Sequence, residues 1–292
     1  MIWHVGFSVL ALFSVVVYCH DPPKDYDGWV TDLDDCKEPR SPNSIFNEYR
    51  CYYNAIYITP VKVEVLNMDP PLLVYHEFFS KGNVEEFIEM SKAVEMEETT
   101  VSEETGNVKS RVRVANGSWI GHYDNTVASK TFYNIQTRFN TINFDKAEMF
   151  QVLRYNPGGH YAPHYDFLRH EEEESARLGN RIVTFLAIMK TAEEGGGTVF
   201  PKIKVTVQPK VGDVMFWFNM DPNGSKSEDS FHGACPILKG KKIGATLWVK
   251  AFGQELLTRC PLEEGKPYDY RPFVKHQKSV YDRILLSGLP MF

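Results

Sequence analysis

No run in this 292-residue sequence is long and apolar enough to cross a bilayer as a helix. The longest, VGFSVLALFSVVVY at residues 5–18, has 14 residues, against the ~20 that a spanning helix needs. At the extreme N-terminus such a run reads as the core of a secretory signal, although no Lys or Arg precedes it. The expectation is a cleaved signal over residues 1–19 and no membrane span after cleavage. Basic charge is not in excess: 32 Lys+Arg against 38 Asp+Glu leave a net charge of −6, and nothing suggests a nucleic-acid partner. No repeat at a fixed period is present, so a solenoid or propeller array is not expected. The terminal GLPMF is no receptor-read retention signal, which leaves the endoplasmic reticulum lumen and secretion both open.

Cysteine is scarce as well. Of five, Cys19 leaves with the signal, and Cys36, Cys51, Cys235 and Cys260 remain. An even number in a secretory chain suggests two disulfides. Local pairing, Cys36–Cys51 and Cys235–Cys260, closes the shortest loops; the alternative is that some are buried thiols. Two N-x-S/T sequons, at Asn116 and Asn223, sit in polar, turn-like context and mark candidate glycan acceptors.

The chain reads as an N-terminal extension over 20–70, a main domain over 71–262 and a tail over 263–292. Residues 21–48 are polar, rich in Asp and Pro, and read as a loop tethered by Cys36. Residues 55–66 alternate like a strand. A helix is expected to begin at Asn83, which can form a capping box with Glu86, and to turn Val84, Phe87, Ile88, Ser91 and Val94 inward. A second helix fits 124–140, with Val127, Ala128, Phe132, Ile135 and Phe139 inward. From 148 onward the texture changes to short β-rich runs at 149–155, 181–189, 197–200, 213–219 and 244–252. The turn signals NPGG, EEGGG, QPKVGD and DPNGS separate them. That spacing predicts an antiparallel barrel or jelly roll, packed on the helices that precede it. The acidic run Glu171–Glu174 reads as a solvated loop.

Within HYAPHYDF, residues 160–167, His164 and Asp166 stand two apart, and on an extended strand such residues project from one face. A third ligand is needed, and His232 in SFHGACP is the candidate; His170 lies in the acidic run. Residues 242–250 read KIGATLWVK. Alternation puts Lys242, Gly244, Thr246, Trp248 and Lys250 on one face and Ile243, Ala245, Leu247 and Val249 on the other. A lysine beside a tryptophan suits an anionic-ligand pocket. Two histidines and a carboxylate with open positions suit non-haem Fe(II) and a chelating 2-oxo acid, with Lys242 facing the far carboxylate. A zinc hydrolase, three ligands plus water, is the competing reading.

At these residues the sequence resembles the catalytic domain of the collagen-type prolyl 4-hydroxylase α subunits. The matching runs are QVLRYNPGGHYAPHYDF, RIVTFLAIM, EEGGGTVFP, PKVGDVMFWFN and HGACPILKGKKIGATLW. The resemblance does not extend to the helical peptide-binding and dimerisation regions of the full subunits. It implies an α+β fold: a double-stranded β-helix (jelly-roll) core with packing helices on its N-terminal side. It implies Fe(II), 2-oxoglutarate and L-ascorbate as metal, cosubstrate and reductant. The activity implied is hydroxylation of proline in collagen-like or proline-rich chains with release of succinate and CO2. His164, Asp166 and His232 match the iron ligands, and Lys242 the residue that binds 2-oxoglutarate. Tyr155 and Thr198 match positions that hydrogen-bond the same cosubstrate, and Trp248 a pocket tryptophan. Tyr161 and Arg181 match substrate-groove positions. The family pairs the cysteines locally too. Lys250 stands where many relatives carry a histidine near the cosubstrate, which leaves its effect on 2-oxoglutarate affinity open. A protein disulfide isomerase partner, as the large subunits have, is an open expectation. The alternatives are a non-catalytic secretory subunit that binds proline-rich chains and a dioxygenase acting on another residue.

Overall fold

The computed structural model describes residues 29, 31–37, 51–56, 59–94, 96–98, 100–103, 106–109, 112–139, 142–168 and 177–254. The expected signal over 1–19, Glu171–Glu174, Cys260, the tail over 263–292 and the side chain of Cys51 lie outside the described residues.

Strands β1 (Cys51–Ile56), β2 (Thr59–Met68) and β3 (Pro71–His76) form an antiparallel meander. Helix α1 (Lys81–Lys92) follows. Short strands β4 (Glu97–Glu98), β5 (Thr100–Glu103), β6 (Gly106–Lys109), β7 (Arg113–Val114) and β8 (Asn116–Ile120) lead to α2 (Thr126–Arg138). The second half is almost all strand: β9 (Phe150–Tyr155), β10 (His160–His164), β11 (Arg181–Lys190), β12 (Glu194–Gly195) and β13 (Thr198–Phe200). It continues with β14 (Val205–Val207), β15 (Val214–Phe218), β16 (His232–Ala234), β17 (Ile237–Lys239) and β18 (Lys242–Lys250).

Two sheets carry the architecture. The larger runs β1-β2-β3-β15-β11-β18-β9-β8-β4, and the smaller β14-β13-β16-β10-β7. The chain crosses between them after β9, β10, β11, β14, β15 and β16, which leaves β15-β11-β18-β9 facing β14-β13-β16-β10. This antiparallel, two-sheet winding is the double-stranded β-helix expected from the sequence. The larger sheet runs without a break from β2 into β3, across the expected division at 70/71.

Alternation along the strands separates the two faces of the larger sheet. Phe150, Val152, Phe185, Phe216, Ala245 and Leu247 form the outer face and pack with Val84 and Phe87 of α1 and Phe132 and Ile135 of α2 in one buried cluster. Phe87 and Phe132 both meet Phe150 edge-on, and Phe139 stacks on Phe216. Burying each such ring contributes up to about 3 kcal/mol. The helices therefore seal the outer face, and the inner face is left to line the interior of the roll.

Several local expectations shift. Helix α1 starts at Lys81, because Ser80 is its cap and its hydroxyl accepts from the Asn83 N–H at 3.2 Å. Asn83 thus sits inside the first turn. The stretch 55–66 takes in the end of β1 and most of β2, which pair antiparallel with Ile56 opposite Thr59. Strand β10 ends at His164, so Asp166, expected beside it on one strand, lies in the bend that follows.

The cysteine pairing is corrected. Cys36 bonds Cys235, across a sequence separation of 199, so neither Cys36–Cys51 nor Cys235–Cys260 forms. The short-loop argument weighs only the entropy of the unfolded chain, and that cost grows slowly with loop length. What decides is the fold. Residues 33–36 form one 3-10 turn beside β13 and β14, held by Thr206 Oγ1 donating to Asp35 O at 2.6 Å. Cys36 there meets Cys235, the residue just past β16. Non-reducing peptide mapping is expected to recover a Cys36–Cys235 link, and a Cys36–Cys51 link would contradict it.

At the other end of the larger sheet, His76 bridges two carboxylates: Nδ1 to Asp213 at 3.1 Å and Nε2 to Glu64 at 2.9 Å. Those bonds, Asp213 first, raise its pKa from 6.5 to about 9. A pKa raised on folding stabilises fully below the unfolded value and is lost as pH rises through the folded one. The stability gap between wild type and His76→Gln should therefore shrink as pH rises from 6.5 through about 9. A gap in melting temperature that stays constant over that window would rule out this role.

Candidate metal centre and anion pocket

His164 closes β10, Asp166 lies two residues on in the bend that follows, and His232 opens β16, the neighbour of β10 in the smaller sheet. The register sets His164 directly opposite His232. One donor atom from each of His164, Asp166 and His232 lies within 4.8 Å of the others. His164 Nε2 is 3.5 Å from Asp166 Oδ1, and His232 Nε2 is 3.5 Å from Asp166 Oδ2.

The outer nitrogens fix the tautomers. His164 Nδ1 lies 2.9 Å from Ala162 O, and His232 Nδ1 lies 2.8 Å from Ser230 O. A carbonyl only accepts, so each Nδ1 carries the proton and donates it. Each Nε2 then turns a lone pair inward, as a metal ligand must. Burial pushes His232 down to about 4, so its ring is neutral at pH 7. Burial alone would raise the Asp166 carboxyl. The two imidazoles beside it, His232 first and then His164, outweigh burial and hold the group below the usual carboxylate range. One carboxylate and two imidazoles at one point are a donor set for a divalent cation. All three donors are nitrogen or oxygen, which suits Fe(II).

The same cavity holds the second half of the site. It is lined by His164, Asp166, His232, Lys242, Tyr155, Thr198, Tyr161 and Trp248, together with Gln151, Leu153, Thr184, Leu186, Trp217 and Thr246. Lys242 is 3% exposed, and its Nζ donates to Gly196 O at 2.8 Å and to Thr198 Oγ1 at 3.4 Å. No carboxylate among the described residues pairs with it. Burial pushes its pKa down to about 8, which leaves it mostly charged at pH 7. A buried ammonium facing only neutral oxygens calls for an anion. Gly196 has φ +73°, and a Cβ there would come within 2.7 Å of Ile237 Cδ1, so glycine is required where its carbonyl meets Lys242. Tyr155 is directly across the ladder from Lys242.

Arg181 does not line the cavity. Its Nε and Nη2 each donate to the Glu148 carboxylate at 2.7 Å, and its guanidinium lies 3.8 Å from the centroid of the Trp248 ring. It braces the Trp248 wall from behind. Lys250 does not line the cavity either: its Nζ sits 2.8 Å from the same Glu148 carboxylate. An effect of Lys250 on 2-oxoglutarate affinity, left open by the sequence, has no contact to act through. Glu148 itself was missed in the sequence, as was Thr184, which donates to Asp166 Oδ2 at 2.7 Å. Thr184 is the single polar residue in IVTFLAIM, a weak signal that was there to see. Of the sequon residues, Asn116 sits within β8, paired with both β4 and β9, whereas Asn223 is exposed in a turn.

Residues 150–250 match the 2OG-Fe(II) oxygenase superfamily. The chain is 32% identical over 226 residues to prolyl 4-hydroxylase subunit alpha-2 of Caenorhabditis elegans, covering 75% of this chain and 42% of the relative. It is 33% identical over 211 residues to prolyl 4-hydroxylase subunit alpha-1 of Rattus norvegicus, covering 71% and 39%. It therefore spans about two fifths of the length of these curated relatives. Among solved structures, the viral collagen prolyl hydroxylase of Paramecium Bursaria Chlorella virus-1 in its 2OG complex aligns at TM-score 0.48 and 24% identity. That alignment covers 62% of this chain and 96% of the other. The superfamily match spans the strands that bring His164, Asp166, His232 and Lys242 into one cavity, and on it residues 150–250 are a 2OG-Fe(II) oxygenase domain.

Proposed function

We propose that the chain is a prolyl 4-hydroxylase that acts on proline in collagen-like or proline-rich polypeptides, with Fe(II) and 2-oxoglutarate. The observation that carries this reading is the placing of a buried lysine and a His/Asp/His cluster in one cavity. The choice of proline rests on the resemblance and on the relatives, which are prolyl 4-hydroxylase subunits.

His164, Asp166 and His232 would hold the metal, which supplies O2 activation coupled to the conversion of 2-oxoglutarate to succinate and CO2. Lys242 binds the far carboxylate of 2-oxoglutarate, flanked by Thr198 and Tyr155. Leu153, Leu186 and Trp217 give the cavity apolar wall. The faces of Tyr161 and Trp248 suit a proline ring. Trp119, 45% exposed with its ring 5.9 Å from Trp248, extends that aromatic wall outward. Polyproline segments dock on such walls. Ascorbate as reductant, residence in the endoplasmic reticulum lumen or secretion, a glycan on Asn223 and a protein disulfide isomerase partner complete the proposal.

Purified protein given Fe(II), 2-oxoglutarate, O2 and a proline-rich peptide should release succinate and add one oxygen to proline, read by mass spectrometry. His164→Ala and His232→Ala should abolish both products while remaining folded. Succinate with oxygen on another residue would redirect the substrate assignment, and neither product would favour a binding subunit.

Lys242→Ala should raise the apparent KM for 2-oxoglutarate about tenfold or more, as expected for loss of a charge-assisted bond. Lys250→Met should leave it within about twofold. In the wild type that KM should climb as pH passes about 8, where Lys242 loses its proton. Lys242→Arg, charged throughout, should remove that rise even where its affinity is lower. A KM equally sensitive to both lysines would move the anchor.

A further inference from the structure

We propose that Thr184 and Asn219 form a positioning relay that orients the Asp166 carboxylate and sets the affinity of the site for its metal. The inference rests on the reading of His164, Asp166 and His232 as metal ligands. Thr184 lies in β11 and Asn219 directly follows β15, its neighbour in the larger sheet. Both are fully buried. The backbone holds Asn219 in place: its N–H donates to Ile182 O at 2.8 Å, and its carbonyl accepts from the Ser227 N–H at 3.0 Å.

The side chains form a chain of three. Asn219 Nδ2 donates to Thr184 Oγ1 at 2.8 Å, and Thr184 Oγ1 donates to Asp166 Oδ2 at 2.7 Å. The polarity is forced. An amide nitrogen has only hydrogens to give, an ionised carboxylate has only lone pairs, and the hydroxyl between them has a single proton. With its lone pair taken by Asn219, Thr184 can only point that proton at Asp166. Asn219 Oδ1 has no hydrogen-bond partner among the described residues, so its donor side alone orients the amide.

A valine would fill the volume of Thr184 in this apolar strand, where Leu186 lines the same cavity, so packing does not account for the hydroxyl. Its effect is on Asp166, which is 4% exposed and has little water to orient it. A carboxylate held at one rotation meets the metal without first losing rotational freedom.

The test is an anaerobic calorimetric titration of Fe(II) into the purified full chain, with folding checked by circular dichroism. Thr184→Val should weaken Fe(II) binding about tenfold or more. Thr184→Ser, which keeps the hydroxyl, should bind within about threefold of wild type. Asn219→Ala, which leaves the hydroxyl unpolarised, should fall between the two. Thr184 acting through packing alone would lower the melting temperature of Thr184→Val with Fe(II) affinity unchanged, and that result overturns the proposal. If Thr184→Val does not fold, Asn219→Ala decides, and wild-type affinity there also overturns it. A wild-type chain that takes up no Fe(II) would instead overturn the ligand assignment, and with it this inference.

Discussion

A carboxylate with almost no access to water must be satisfied by the protein, and the interior of this roll is arranged around that requirement. Asp166 meets it in part through one threonine hydroxyl from the facing sheet, and two imidazoles on adjacent strands complete a donor set for a cation beside it. Each imidazole is itself pinned by a carbonyl two residues before it in the chain. The orientation of both rings is therefore set by backbone carbonyls, one in β10 and one in the turn before β16. The helices contribute from a distance: by covering the outer face of the larger sheet, they let its inner face carry Thr184, Lys242 and Thr246 in place of an apolar core.

Charge divides within the cavity. The His/Asp/His end is anionic and asks for a cation, while the Lys242 end is cationic and asks for an anion. The two are not paired with each other. Had they been, the pair would satisfy itself and the cavity would have little electrostatic reason to take either ligand. Glu148 shows the contrasting solution outside the cavity. There a carboxylate is saturated by Arg181 and Lys250 and serves to stiffen the Trp248 wall.

What the sequence disclosed followed from strict periods. Lys242 and Trp248 on one side of an alternating strand were readable because a strand allows only two faces, whereas Asp166 reaches His164 from the bend past the end of β10. The jelly roll was readable from runs of β-rich residues between turn signals. What stayed hidden depended on the path of the chain. Cys36 meets Cys235 only because the N-terminal segment crosses the smaller sheet, and nothing near either cysteine encodes that crossing. Lys250 fell on the correct strand face yet one pleat beyond the cavity, where Glu148 claims it. Thr184 looked like any β-branched residue until the fold set it against Asp166. The start of α1 was misplaced by the nearness of two caps, Ser80 and Asn83, either of which suits the role locally.

The His/His pair and Lys242 belong to different sheets. Lys242 rises from the larger sheet and reaches across to Gly196 and Thr198, while both histidines stand on the smaller one. A dianion lying between the metal and that ammonium would be a further strut between layers that Lys242 and Thr184 already bridge. Metal and dianion would each then find the other's half of the site already braced. By thermodynamic reciprocity, whatever the first ligand gains from the second, the second gains equally from the first.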